Sequence, residues 1–116
     1  MIGSSQPEKL AKVYEKVFEK KADMQEDTWW GWQVGSCFFS VGEHSEVKGA
    51  SKEPQRIILN LETKDVQKEC DRIKVIEGVE VVKEAYEMEG MTGMWIATFA
   101  DPDGNYFQLM TPWEDK

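Results

Sequence analysis

The chain has 116 residues, 22 of them acidic and 14 basic, for a formal net charge of −8. That charge repels polyanions, so nucleic acid and anionic membrane surfaces are not expected as partners. The apolar share of 41% suits one core in a single soluble domain. No apolar run approaches transmembrane length, and a cytoplasmic location is expected.

Residues 1–4 predict a short opening strand. Ser5 and Glu8 have the spacing of a capping box, with Pro7 in the first helical turn. Leu10, Val13, Tyr14, Val17 and Phe18 then recur at helical spacing, with Lys and Glu on the other face. An amphipathic helix to about residue 20 follows. Residues 21–27 are polar and read as a loop. Aromatic and β-branched residues broken by glycine predict strands over 29–34 and 35–41, with a short third strand within 42–47. A polar linker spans 48–54.

Residues 56–62 alternate, Ile57, Leu59 and Leu61 against Ile58, Asn60 and Glu62, and predict a strand. Thr63 is the expected cap of a second helix, lined by Val66, Cys70, Ile73 and Ile76 and stopped near Gly78. Strands are expected at 79–82 and 94–100 with a loop between them. The chain ends in the most patterned stretch, in which Asp101, Pro102, Asp103 and Gly104 force a turn. Beyond the turn, Phe107 and Leu109 alternate with Tyr106, Gln108 and Met110. Both Asp101 and Asp103 read as turn-makers. Cys37 and Cys70, the only cysteines, fall in a strand and on a helix face and are expected to be small buried thiols, not a disulfide.

The order strand, helix, strands occurs twice. Leu10, Tyr14 and Val17 have the spacing of Val66, Cys70 and Ile73, and the 38–41 stretch takes the slot of 107–110. The expected fold class is α+β: two βαβββ units, about 1–50 and 54–116 of one domain, pairing into a curved sheet with a central cleft and helices outside.

With these residues in place, the first helix and the closing Asp101-Pro102-Asp103-Gly104-Asn105-Tyr106-Phe107-Gln108-Leu109 run resemble the vicinal oxygen chelate superfamily. This group of glyoxalases, extradiol dioxygenases, and fosfomycin- and bleomycin-resistance proteins is matched over nearly the whole chain. The resemblance implies a divalent metal held by His, His and Glu and acting as a Lewis acid. The superfamily's last-strand Glu falls at Gln108, and the His of the second unit at Ile58. The His of the first unit falls at or before Met1, and an extra carboxylate near Phe39. None of these is the expected ligand, so no metal or other cofactor is expected.

Fold leaves function open, and three classes of function remain. The first is a metal-independent small-molecule binding protein, its cleft holding an uncharged or cationic, partly aromatic ligand. By alternation Trp32, Phe39, Tyr106 and Met110 line that cleft, Thr98 shares it, and Trp95 faces the helices. Asn60 and Gln108 offer amide donors and acceptors. The second is a lyase, isomerase or dioxygenase relative with an altered metal site drawn from His44, Gln108 and Glu62. His44, the only histidine, is its catalytic candidate, although a lone loop histidine beside acids is more commonly a solvated surface residue. The third is an interaction module using Trp29, Trp30 and the 48–54 linker; a homodimer is expected.

Overall fold

Ile2–Ser4 forms β1 and Pro7–Phe18 forms α1 in the computed structural model, which describes residues 1–113. Met24–Glu26, Trp29–Val34 and Cys37–Glu43 follow as β2, β3 and β4. A 3-10 turn at Pro54–Arg56 leads to β5 at Leu59–Glu62, then α2 at Val66–Ile73. Glu80–Glu87, Trp95–Ala100 and Tyr106–Met110 are β6, β7 and β8. The chain divides into two compact units, Met1–Ala50 and Ser51–Lys116; the last three residues of the second lie outside the described residues.

Each unit holds one four-stranded mixed sheet and one helix, an α+β arrangement. Strand order is β1-β4-β3-β2 in the first and β5-β8-β7-β6 in the second. In both, the opening strand pairs parallel with the last strand, as Ile2 with Val41 and Leu59 with Phe107. The other pairs are antiparallel. The two sheets therefore share one topology, as the sequence repeat implies.

Helical spacing puts Leu10, Val13, Tyr14 and Val17 of α1 on the buried side, with Trp32 and Val41 also buried. Each such side chain contributes about 1.5–3 kcal/mol by leaving water. In the second unit Val66, Cys70 and Ile73 of α2 are buried, as are Ala97, Phe99, Phe107 and Leu109. The Phe99 and Phe107 rings stack at 5.4 Å. Each sheet thus has a helix-covered face and a helix-free face.

Several local expectations are corrected. The capping box does not form. Gln6 is the cap residue, and its N–H donates instead to the hydroxyl of buried Ser4 at 2.9 Å. The 21–27 stretch contains β2, whose three residues are all exposed; backbone pairing with β3 defines it, so side-chain patterning carries no trace of it. No strand forms over 44–47, because β4 runs on to Glu43 and the Val47 N–H then closes a turn on the His44 carbonyl at 3.1 Å. The second helix is capped by Asp65, which accepts from the Lys68 N–H at 3.0 Å, while Thr63 only accepts from the Asp65 N–H at 3.3 Å. It stops at Ile73, short of Ile76. Strand β6 is twice the length expected. Cys37 is exposed, because it starts β4 on the outer end of its hairpin; Cys70 is buried.

Past the end of α1, the Gln33 N–H and the Lys20 ammonium both donate to Asp23 Oδ2, at 2.6 and 2.9 Å. The Gln33 N–H first, then Lys20, hold the Asp23 carboxyl below its ordinary 3.8. A depressed carboxyl contributes stability that is present above the unfolded value and lost as pH falls through the folded one. An NMR titration should therefore place the Asp23 midpoint below 3.8. The stability difference between the wild type and Asp23→Asn should shrink in acid below that pH, as chemical denaturation can check.

Candidate functional site

The helix-free face of the second sheet is set by the same alternation that buries Phe107 and Leu109. Cross-strand register places Asn60 of β5 beside Gln108 of β8, Gln108 beside Thr98 of β7, and Thr98 beside Lys83 of β6. One polar row therefore crosses all four strands. A neighbouring row holds Glu62, Met110, Ile96 and Tyr86, and the row on the other side holds Tyr106, Ala100 and Glu80. Polar groups in a line can orient a ligand whose body packs on the apolar side chains at the centre of the flanks, with Glu62 and Glu80 at the edges.

Within the row, Gln108 Nε2 donates to Asn60 Oδ1 at 3.3 Å, and Asn60 Nδ2 lies 3.5 Å from Met110 Sδ. The chain of donors fixes the Gln108 amide, leaving its carbonyl oxygen to accept. At the far end of the row the Lys83 ammonium sits 4.8 Å from the centre of the Tyr86 ring, a cation–π contact. Gln108, Thr98 and Tyr106 are half-buried; Asn60 and Lys83 are exposed. Asn60, Thr98, Tyr106 and Gln108 are thus brought to one face. Lys83 and Tyr86 were not singled out by sequence, because two register shifts in β6 break its alternation.

Trp32 and Phe39 are a correction. They pair across β3 and β4 on the helix-covered face of the first sheet, not on a ligand-facing one. The Phe39 ring lies 4.7 Å from Tyr14 and 5.1 Å from Phe18, and Trp32 lies 5.8 Å from Phe18. Trp32 also donates from Nε1 to the Lys20 carbonyl at 3.0 Å. Both rings are core.

The helix-free face of that sheet carries Trp29, Gly31, Ser40, Gly42, Gln33 and Phe38. Trp29 and Phe38 stack at 6.0 Å over the glycines. A Cβ on Gly31 would stand 2.5 Å from the Phe38 ring, so glycine is what lets these rings lie on the strands. His44, just past β4, is exposed, and its Nδ1 accepts from the Glu46 N–H at 3.1 Å. The first unit also bears a groove of about 510 Å³ between the first turn of α1 and the β2–β3 hairpin, lined by Glu8, Lys9, Asp27, Trp30 and Glu43 among others. Its walls come from three separate segments, so no single sequence pattern marks it.

The residues do not fit the His, His and Glu metal centre that the resemblance implies. Gln108 offers a neutral amide where a carboxylate is needed, and Ile58, on the alternation of Asn60 and Glu62, offers nothing. In the first unit the helix-free positions of β4 are Phe38, Ser40 and Gly42, so moving the matching position away from core Phe39 brings no carboxylate either. Among the described residues no group of three or more His, Cys, Asp or Glu is placed to hold a metal ion. Of the altered set, Glu62 accepts from the Trp113 N–H at 3.3 Å.

No family model and no curated protein matches the chain. Solved structures do. A glyoxalase/bleomycin resistance protein from Albidiferax ferrireducens superposes with a TM-score of 0.76 at 14% identity, covering 97% of this chain and 95% of that one. A glyoxalase-related enzyme from Fulvimarina pelagi gives 0.71 at 16%, covering 96% and 82%. The fosfomycin resistance protein FosX from Mesorhizobium loti gives 0.67 at 14%, covering 97% and 86%. Among the described residues no helix is long and apolar enough to cross a membrane. With two βαβββ sheets and these superpositions, the chain has the fold of the glyoxalase/bleomycin resistance and fosfomycin resistance proteins it matches.

Proposed function

We propose that the protein is a small-molecule binding protein that works without a metal, and that its ligand lies on the helix-free face of the second sheet. The observation that carries this reading is the polar row Asn60, Gln108, Thr98 and Lys83, flanked at its centre by Met110 and Ile96 on one side and Tyr106 and Ala100 on the other. Neutral amide and hydroxyl groups with one ammonium at the end of the row suit a partly apolar molecule bearing hydrogen-bond acceptors. Tyr106 and Met110 supply flat and polarisable contact on the two flanks. The replacement of the superfamily's metal-binding Glu by Gln108, already bonded to Asn60, supports recognition by hydrogen bonds over Lewis-acid chemistry.

The test is a thermal-shift screen of chelator-treated protein against a panel of small aromatic and heterocyclic amides, lactones and ketones, followed by calorimetry on any hit. Gln108→Leu keeps the strand and removes the amide. It should weaken a hit by about tenfold or more, since a hydrogen bond in a half-buried site is worth about 1–2 kcal/mol. A hit whose affinity is unchanged by Gln108→Leu, or that appears only after divalent metal is added, would sink the reading.

A further inference from the structure

The loop between β6 and β7 reads Met88-Glu89-Gly90-Met91-Thr92-Gly93-Met94, a three-residue pattern that repeats. Its backbone repeats too. The Met91 N–H donates to the Met88 carbonyl at 3.1 Å, and the Met94 N–H to the Met91 carbonyl at 3.1 Å. These are two successive four-residue turns. Gly90 and Gly93 hold their third positions with φ of 77° and 86°, a conformation other residues rarely adopt. The Met88 N–H closes on the Met94 carbonyl at 2.7 Å, which extends the β6–β7 ladder one pair beyond Glu87 and Trp95. The second turn is clamped by Glu87, whose Oε2 accepts from the Gly93 N–H at 2.6 Å.

This geometry gathers the three methionines. The ends of a turn stand within about 7 Å at Cα, so Met88 lies close to Met91 and Met91 to Met94. The paired Met88 and Met94 are about 5.5 Å apart and project to one side of the ladder. Three flexible thioether side chains on three mutually close Cα atoms can bring their sulfurs onto one point. All three are half-buried while the residues between them are exposed. Thioether sulfur is a soft, uncharged donor that favours soft ions such as copper(I) over magnesium, calcium or manganese.

We propose that Met88, Met91 and Met94 form a three-thioether site for a soft monovalent cation of the copper(I) class. The site lies on the β6–β7 loop, outside the polar row. The site sits on a loop whose shape is fixed by backbone bonds before any ion arrives, so little ordering cost attends binding.

Silver(I), a redox-inert ion of the same softness, is the probe. The protein is prepared as Cys37→Ser, because the exposed Cys37 thiol would otherwise compete. Its methionine methyls are labelled with carbon-13, and silver nitrate is titrated in chloride-free buffer. The methyl signals of Met88, Met91 and Met94 should move together and saturate at one equivalent, while those of Met1, Met24 and Met110 stay in place. Met91→Leu, nearly equal in volume and tolerated by packing, should weaken silver binding about tenfold or more with an unchanged unfolding midpoint. Three unmoved loop methyls, or equal silver affinity in a Met88→Leu, Met91→Leu, Met94→Leu triple variant, would overturn the proposal.

Discussion

Trp32→Ala is expected to destabilise the protein by about 3–5 kcal/mol, the cost of emptying a large aromatic site in a packed core. The indole is 1% exposed, lies 5.8 Å from Phe18 and 6.0 Å from Phe39, and donates to the Lys20 carbonyl just past the end of α1. Removing it leaves a cavity under the helix and takes the indole donor from the Lys20 carbonyl. With total stability of about 5–15 kcal/mol typical of domains, a urea titration should show a large fall in the midpoint. Trp32→Phe separates the two contributions. It keeps most of the ring contact and loses only the hydrogen bond, so a smaller cost of about 1–2 kcal/mol is expected. A Trp32→Ala variant of unchanged stability would return this residue to a ligand wall and reject its place in the core.

The second large effect is at Asp101, where Asp101→Ala should cost about 2–5 kcal/mol. The carboxylate is 4% exposed. Its Oδ1 accepts from the Asp103 and Asn105 N–H groups at 2.9 and 3.0 Å, and its Oδ2 from Asn105 Nδ2 at 3.0 Å. The Gly104 N–H donates to its carbonyl at 2.8 Å, closing the turn. Alanine leaves buried donors unmatched at the point where β7 hands over to β8, the strand that carries Gln108. Asp101→Asn keeps an acceptor at one oxygen and should cost less, which equilibrium unfolding of both variants can check. Equal stability of Asp101→Ala and wild type would show that the turn holds without its side-chain bonds.

What the sequence showed follows contrast between faces. Strand β8 has Phe107 and Leu109 against Tyr106, Gln108 and Met110, so its two sides differ and its orientation is readable. Strand β4 runs Cys37-Phe38-Phe39-Ser40-Val41, with aromatic rings side by side. No period-two contrast separates Phe38 from Phe39, and a slip of one residue moves every side chain to the other face. That slip placed Phe39 opposite Gln108. Trp32, its cross-strand partner, went astray with it because its strand is flanked by tryptophans on both faces. Pairing decided the matter, through the Trp32–Phe39 register and the helix above it.

Helix existence was legible and helix ends were not. The spacing of Leu10, Tyr14 and Val17 demands a helix, whereas the choice between Ser5 and Ser4 as the side chain that meets the first N–H groups depends on where β1 stops. Strand β2 left no mark, since its three exposed side chains carry no burial pattern and its backbone bonds to β3 are what define it. Of the candidate site, the β7 and β8 members followed from the closing hairpin. Lys83 and Tyr86 lie on a strand whose register shifts twice, so position along the sequence does not give their face.

The row Asn60, Gln108, Thr98 and Lys83 on the second sheet is proposed to bind a small molecule without metal. The most direct test is an amide-detected NMR titration of chelator-treated protein with a ligand from the thermal-shift screen. The side-chain amide signals of Asn60 and Gln108 and the backbone signals of Thr98 and Tyr106 should shift together and saturate with one affinity. Shifts confined to other residues, or shifts that require added divalent metal, would contradict it.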